Sequence, residues 1–405
     1  MKKGRQMKAA IMGYGTIGSG VAETLRINHD VIARRVGEPV ELAKVLDVRE
    51  FEGDPVQPLI VHDYKDIVND PEIRIVVETM GGVEPAYTFV KAMLEAGKHV
   101  TTSNKALVAD KGAELIQIAK EHNVNFMFEA SVGGGIPIIR SLQSCLTGDV
   151  IEYIAGIVNG TTNYMMTEMA DKGADFDDVL KEAQDKGFAE KDPTADIEGY
   201  DACRKIAILT SLVAGQQVDY QDIPTEGITK ISATDIRYAK KLGRKVKLLA
   251  TSRESGDTYA CRVAPFLLPP ENPLYNVESV FNAVFVHGNI LGDGMFYGSG
   301  AGKLPTASAV VGDVVEIAKN LDKNIPIEWK AQKLTLADPG EDKYRFFVRT
   351  TDDQGPIEAS FGQVDYVDAD IVPGEVGFVT REIKQSDFDK ALKTLPGYVN
   401  SIRLA

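Results

Sequence analysis

Gly13-Tyr14-Gly15-Thr16-Ile17-Gly18 constrains this chain more than any other segment. The G-x-G-x-x-G pattern alone is weak, because glycine is common, and its setting carries the information. Lys8–Met12 before it is a short apolar run that reads as a strand, and Thr16–Arg26 after it reads as a helix. In that setting Gly13 permits a tight turn, Gly15 lets backbone amides approach a pyrophosphate, and Gly18 lets helix and strand pack closely. The helix start at Thr16 and Ile17 then offers unpaired N–H groups and a favourable dipole to the anion. The competing reading is a glycine-rich turn with no ligand.

The alternation continues through the first 150 residues. Val40–Leu46, Arg74–Glu78, His99–Thr102 and Val124–Phe128 read as strands, with helices over Pro85–Ala96 and Asn104–His122. Alternating strands and helices predict an α/β Rossmann unit, a doubly wound parallel sheet with right-handed crossovers. We assign it residues 1–150, closed by a segment near 300–325. Residues 151–335 have a different texture. Val150–Val158 is strand-like, and helices are expected over Thr161–Asp171, Phe176–Lys186 and Tyr200–Val213. Strands follow at Val246–Thr251, Tyr259–Pro265 and Ser279–Val286, then a helix over Leu304–Asn320. Elements in runs predict an α+β substrate domain. After the polar stretch Leu336–Asp342, residues 341–405 read as strand Tyr344–Thr350, a short helix Pro356–Gly362, and strands Val364–Val372 and Gly374–Ile383. Helix Ser386–Thr394 and strand Val399–Leu404 complete them. That βαββαβ order is the ferredoxin-like pattern.

Composition narrows the function classes. The chain has 405 residues, is 44% hydrophobic and 26% charged, and so has ample material for a core. A net charge of −14 does not build the basic face that nucleic acid or anionic lipid needs. No apolar run approaches the ~18 residues of a membrane span. The start is basic (Lys2, Lys3, Arg5, Lys8), but its apolar stretch stops at Gly13, too short for a signal peptide. Cys145, Cys203 and Cys261 are odd in number and widely spaced, which fits a reducing cytosol and neither a disulfide framework nor a zinc cluster.

Several clusters can carry chemistry. Asp47 and Arg49 sit at the end of the second strand, where an acid takes ribose hydroxyls and an arginine suits a 2′-phosphate. Their distance from the glycines exceeds the usual ~20 residues, which a longer first helix would explain. Asp47 argues for NAD and Arg49 for NADP. Thr102-Ser103-Asn104-Lys105 follows a strand and opens a helix, so Lys105 belongs near the ligand crevice; a solvated lysine at a helix start is the plainer reading. Asp201 and Lys205 are four apart on one helix face ahead of the apolar run Ile206–Leu212. Desolvation or a second lysine nearby would make such a lysine a competent acid. A surface salt-bridge ladder is the alternative. Glu129 and the glycine loop Val132–Pro137 can turn carbonyls toward a hard cation, or can simply connect a strand to a helix. Tyr297–Thr306, with Gly302, suits close contact with a flat or anionic ligand, or is a flexible turn. The five histidines are scattered without metal-ligand spacing.

Together these segments resemble homoserine dehydrogenases over nearly the whole chain. The resemblance rests on Gly13–Gly18, Thr102–Lys105, Glu129–Pro137, Asn159–Tyr164, Gly187–Lys205, Gly300–Gly302 and Pro305–Ala309. It implies NAD- or NADP-dependent interconversion of aspartate 4-semialdehyde and homoserine, on the path to threonine and methionine. It implies that Lys205 donates a proton to the aldehyde oxygen and that Lys105 lies between cofactor and substrate. Glu190, Asp196 and Asp201 would form the substrate pocket, and Gly302 would touch the nicotinamide side. Glu129, with the backbone of Val132, Gly134 and Ile136, matches a structural site for sodium or potassium. The physics agrees, since an α-ammonium calls for carboxylates and a carbonyl gaining charge calls for a nearby cation. The tail resembles an ACT domain, which suggests an amino-acid effector such as threonine. It departs from that pattern where Gln354-Gly355-Pro356-Ile357 stands at the entry to its first helix. The family implies a homodimer, with residues 151–335 as the dimerisation domain as well, or a homotetramer joined through the tails. Two other classes compete. An acylating dehydrogenase needs a nucleophilic cysteine, and no cysteine here has an adjacent histidine. A dinucleotide-sensing, amino-acid-binding regulator would need neither Lys105 nor Lys205.

Overall fold

The structure, a computed structural model, describes residues 7–367 and 371–405. Lys2, Lys3 and Arg5 of the basic start, and 368–370 of the strand expected over Val364–Val372, lie outside these residues. Contacts divide the chain into two compact units. The first holds residues up to Gly148 with Ala207–Asp219 and Gly298–Leu334; the second holds Asp149–Ile206, Tyr220–Tyr297 and Thr335–Ala405.

The chain opens with β1 (Met7–Met12), α1 (Thr16–Ile27), α2 (His29–Val36), β2 (Val40–Leu46), β3 (Ile60–Val61), α3 (Lys65–Val68) and β4 (Ile73–Glu78). It continues with α4 (Ala86–Glu95), β5 (His99–Thr102), α5 (Lys105–Glu121), β6 (Phe126–Met127) and α6 (Ile138–Arg140). The six strands form one parallel sheet in the order β3-β2-β1-β4-β5-β6, the order of a dinucleotide-binding sheet. β1 and β4 are buried almost throughout because helices cover both faces of a parallel sheet.

Next come β7 (Ile151–Ile157), α7 (Gly160–Lys172), α8 (Phe176–Asp185), α9 (Thr194–Ile197) and α10 (Tyr200–Ala214). They are followed by β8 (Gln216–Gln217), α11 (Ala233–Lys241), β9 (Lys245–Ser255), β10 (Thr258–Leu268), β11 (Phe281–Gly288) and β12 (Gly292–Ser299). α12 (Lys303–Lys319) returns to the first unit and packs on α1 so closely that a Cβ at Gly20 would lie 2.8 Å from the Lys303 carbonyl. The short strands β8 and β13 (Lys330–Lys333) pair in parallel. The tail is β14 (Lys343–Thr350), α13 (Gln354–Phe361), β15 (Asp365–Val367), β16 (Val376–Val379), β17 (Ile383–Lys384), α14 (Gln385–Leu392) and β18 (Tyr398–Leu404).

The second unit is built on one ten-stranded sheet. β9 pairs antiparallel with β7 and β10, while β14 pairs antiparallel with β18 and β16. The joint is a short parallel pairing of β18 with β10, Phe266 opposite Arg403 and Leu267 opposite Leu404. The tail therefore continues the sheet of residues 151–297, with its own small core of Phe346, Val348, Ile357, Phe378 and Phe388.

Three expectations need correction. The distance from the glycine turn to Asp47 arises from a second helix, not a longer first one. α1 ends at Asn28 and α2 restarts immediately, stopping at Gly37 in the left-handed region. The glycine-rich run from Tyr297 begins inside β12, so only its later residues form a loop. Gly374–Ile383 is two strands, because pairing with β14 shifts register between Val379 and Ile383.

Candidate active site

The turn between β1 and α1 is set by backbone geometry. Gly13 has φ +95°, and a Cβ there would lie 2.9 Å from the Met80 side chain. A Cβ on Gly18 would fall 2.0 Å from the Gly13 carbonyl oxygen, so α1 can approach β1 only with glycine there. A Cβ on Gly15 would meet nothing within 4 Å. The first turn of α1 thus faces open space lined by amides, as a pyrophosphate requires. Asp47 follows β2. Its carboxylate accepts hydrogen bonds from the Tyr14 amide (2.8 Å), the Arg49 amide (3.0 Å) and the Arg49 guanidinium (2.9 Å). The Arg49 hydrogen bond, then the two amides, hold the Asp47 carboxyl at about 2 against its burial. Arg49 is the exposed member of the pair and lies over the Phe51 ring.

A network that sequence reading missed holds the start of α5. Glu78 ends β4 and is wholly buried. It accepts from the Met80 amide (2.6 Å) and the Thr102 hydroxyl (2.5 Å); Thr102 Oγ1 in turn accepts from the Asn104 amide (2.9 Å). Asn104 caps α5 through the Leu107 amide (3.1 Å) and reaches the Gly82 carbonyl (2.5 Å). Burial pushes the Glu78 carboxyl up. Lys105 follows as the first residue of α5, half-buried, where the helix dipole favours an anion over a cation. The one sequence clue to Glu78 was a charge closing an otherwise apolar strand.

The second unit brings Lys205, Asp201 and Asp196 together. Asp201 and Lys205 lie one turn apart on α10, and both are buried. Lys205 Nζ donates to Asp201 Oδ2 (2.6 Å) and to the Val158 carbonyl beyond β7 (2.7 Å). Asn159, also missed as a site residue, organises the group. Its Oδ1 accepts from the Thr162 amide (2.9 Å), which caps α7 and fixes the side-chain orientation. Its Nδ2 then donates to Asp196 Oδ1 (2.7 Å) and Asp201 Oδ2 (2.9 Å). One neutral amide therefore holds two carboxylates side by side. Asn-Gly-Thr directly after a strand was the available signal for such a cap. Glu190 is exposed in the segment before α9; among the described residues its carbonyl accepts from Gln184 (3.0 Å), and it stands outside this cluster.

Glu129 follows β6, and both its carboxylate oxygens accept from backbone amides, Ile139 and Arg140, each at 2.8 Å. Its carboxylate caps the short helical stretch that starts at Ile138. Its own amide donates to Asp313 of α12 (2.9 Å), which also binds the Thr101 hydroxyl (3.0 Å) and the Arg140 guanidinium (2.5 Å). Burial first, and Asp313 second, push the Glu129 carboxyl up to about 7. The loop carrying Val132, Gly134 and Ile136 turns through Gly133 and Gly134, both at positive φ. A Cβ on Gly134 would lie 2.4 Å from the Gly300 carbonyl. Gly302 caps α12 with φ +112°. Among the described residues, no group of three or more His, Cys, Asp or Glu side chains could hold a metal, so a cation here would depend on main-chain carbonyls.

A parallel sheet in this order, a glycine turn open to a pyrophosphate, and a buried lysine among carboxylates define an oxidoreductase of the nicotinamide dinucleotide class. Two family models match the chain: "Homoserine dehydrogenase" over residues 137–315 and "Homoserine dehydrogenase, NAD binding domain" over residues 13–129. The homoserine dehydrogenase of Bacillus subtilis is 43% identical over 78% of this chain and 74% of its own length. That of Neisseria gonorrhoeae is 39% identical over 87% and 84%. The crystal structure of the Thiobacillus denitrificans homoserine dehydrogenase superposes with a TM-score of 0.90 at 35% identity, covering 99% of this chain and 98% of that one. A hyperthermophilic archaeal homoserine dehydrogenase, solved in complex with NADPH, has a TM-score of 0.66 at 28% identity over 80% and 99%. The chain belongs to the homoserine dehydrogenase family. It is an NAD(P)-dependent oxidoreductase that interconverts L-aspartate 4-semialdehyde and L-homoserine, and a non-catalytic sensor is not favoured.

Proposed function

We propose that Lys205 is the proton donor of this reaction, that Asp196 and Asp201 hold the substrate's α-ammonium, and that Glu190 contacts the substrate from outside that cluster. The observation that supports this best is the convergence of Lys205, Asp201, Asp196 and Asn159 in one hydrogen-bonded group. The nicotinamide, when bound, supplies the hydride to the aldehyde carbon. Lys205 Nζ, held by Asp201 and the Val158 carbonyl, stabilises the charge growing on the carbonyl oxygen and gives it a proton. In the reverse direction it takes the hydroxyl proton of homoserine. Lys105 serves both cofactor and substrate. Asp201→Asn keeps size and most hydrogen bonds but removes a charge from the ammonium site. It is expected to raise the homoserine KM by about tenfold or more, with the cofactor KM unchanged. An unchanged homoserine KM would remove this assignment.

Gly13, Gly15, Thr16, Ile17 and Gly18 would hold the pyrophosphate, Lys105 and Gly302 the nicotinamide side, and Asp47 and Arg49 the adenosine ribose. Asp47 already accepts from Tyr14 and Arg49, while Arg49 keeps an exposed guanidinium. That arrangement favours a 2′-phosphate and therefore NADP. We expect Arg49→Ala to lower kcat/KM for NADPH at least about tenfold while leaving that for NADH within about threefold. Loss of absorbance at the reduced-nicotinamide band, measured with each cofactor, decides it. Equal losses would remove Arg49 as the selector.

A sodium or potassium ion would be held by the carbonyls of Glu129, Val132, Gly134 and Ile136. The Glu129 carboxylate is engaged by two amides and does not supply the ligand. Residues 341–405 would be an ACT-like regulatory domain that takes an amino-acid effector, and the enzyme a homodimer or homotetramer of the cytoplasm. No described helix is long and apolar enough to cross a membrane.

A further inference from the structure

We propose that Glu226 is a positioning residue for the substrate-binding carboxylates Asp196 and Asp201, held in place by Arg403 of the last strand. The inference rests on the reading that Asp196 and Asp201 bind the ammonium. It starts from the segment Pro224–Ile228, which runs beside β10. The Glu226 amide donates to the Val263 carbonyl (2.8 Å), and the Val263 amide to the Pro224 carbonyl (2.9 Å). The next residues pack against the turn that joins α9 to α10. A Cβ on Gly227 would lie 2.1 Å from the Ile197 carbonyl oxygen and 2.5 Å from Glu198 Cα. The Ile228 amide donates to that same Ile197 carbonyl (2.8 Å). Gly199, which joins α9 to α10 at φ +82°, leaves no more room: a Cβ there would lie 3.2 Å from the Thr225 side chain. Asp196 and Asp201 flank this turn. At Gly227 backbone meets backbone with no side chain between to yield, so a shift of 224–228 passes to the turn that Asp196 and Asp201 flank.

The position of that segment is set from the tail. Arg403 is buried and grips both Glu226 oxygens, at 2.9 and 2.7 Å. Two further N–H groups donate to Gln385 Oε1 (3.1 and 2.7 Å), and its guanidinium lies over Tyr344 and Phe346. Arg262 of β10 adds a longer contact to Glu226 at 3.7 Å. A fork-to-carboxylate pair defines orientation as well as distance. A second buried tie between tail and body provides a control. Arg349 of β14 pairs with Asp235 of α11 (2.8 Å) and Glu375 (2.7 Å) and reaches Ser232 (3.2 Å), with no hydrogen bond to 224–228 among the described residues.

The test uses the full chain and four variants: Glu226→Gln, Arg403→Gln, Arg403→Lys and Arg349→Gln. Kinetic constants for homoserine and for the oxidised cofactor are measured with Tm. Glu226→Gln and Arg403→Gln should each raise the homoserine KM by about tenfold and leave the cofactor KM within about twofold. The double variant should be no worse than either single one, and Arg403→Lys should recover part of the loss. Arg349→Gln should lower Tm with the homoserine KM within about twofold. Glu226 is half-exposed, so its glutamine variant keeps the side-chain volume and opens no cavity, and Tm reports whether it folds. An unchanged homoserine KM in folded Glu226→Gln overturns the proposal, as does an equal rise in Arg349→Gln. Asp201→Asn, run alongside, separates the two levels. If it raises the homoserine KM and Glu226→Gln does not, only the positioning role fails; if it does not, the substrate-site reading beneath it fails too.

Discussion

Lys205→Met is expected to lower kcat about a thousandfold in both directions while leaving cofactor binding within about twofold. Methionine keeps the unbranched length of the lysine stem and its helix propensity, so α10 should fold as before. What it removes is the only atom of the side chain that reaches Asp201 and the Val158 carbonyl. The reaction loses both a proton source and the positive charge beside the developing alkoxide. The Val158 carbonyl and Asp201 are left without one of their donors, which lowers Tm but does not touch the glycine turn that carries the cofactor. Fluorescence quenching or titration of reduced cofactor measures the binding; stopped or continuous assays measure kcat. Retained turnover would transfer the proton-donor role elsewhere, Lys105 being the first candidate.

Arg140→Met is expected to destabilise the folded chain by about 3–5 kcal/mol. Asp313 is buried at 2% exposure, and Arg140 is its cationic partner. Without the guanidinium, Asp313 keeps the Thr101 hydroxyl and the Glu129 amide but faces the buried Glu129 carboxylate uncompensated. The pH dependence follows from the sign of the Glu129 shift. Its folded value, about 7, lies above its ordinary 4.5. Its contribution to stability is therefore full below 4.5 and is lost as pH rises through about 7. Loss of Arg140 raises this carboxyl, and that of Asp313, further. The deficit of the variant should consequently be larger at about pH 8 than at about pH 5.5. Denaturant melts at the two pH values measure it. A deficit independent of pH would mean that Arg140 acts through packing alone.

These two residues differ in how readable they were. Lys205 and Asp201 are four apart on one helix, so their pairing follows from helical periodicity. The glycine turn was readable for a similar reason: a strand, a tight turn and a helix start are neighbours in the chain, and each glycine has a steric task within that span. The alternation of strands and helices likewise foretold the parallel sheet, because a covered sheet demands long apolar runs. The break between α1 and α2 is local, whereas the split of β16 from β17 comes from register against the distant β14. One helix was expected between the glycines and Asp47, because nothing in the composition of Ile27-Asn28-His29 announces that the helix stops and restarts there.

The partners of the site lay outside that range. Asn159 holds Asp196 and Asp201 from about 40 residues away, Asp313 reaches Glu129 and Arg140 across more than 170, and Arg403 grips Glu226 across 177. Nor did composition announce that Glu78 would stand under the start of α5, or that β18 would enter the sheet beside β10 in parallel. Local propensity, caps and periodicity act over a turn or two of chain, and those were legible in the order of residues. Which charge meets which across the fold depends on how strands register and helices cross, and only the packed structure decides it.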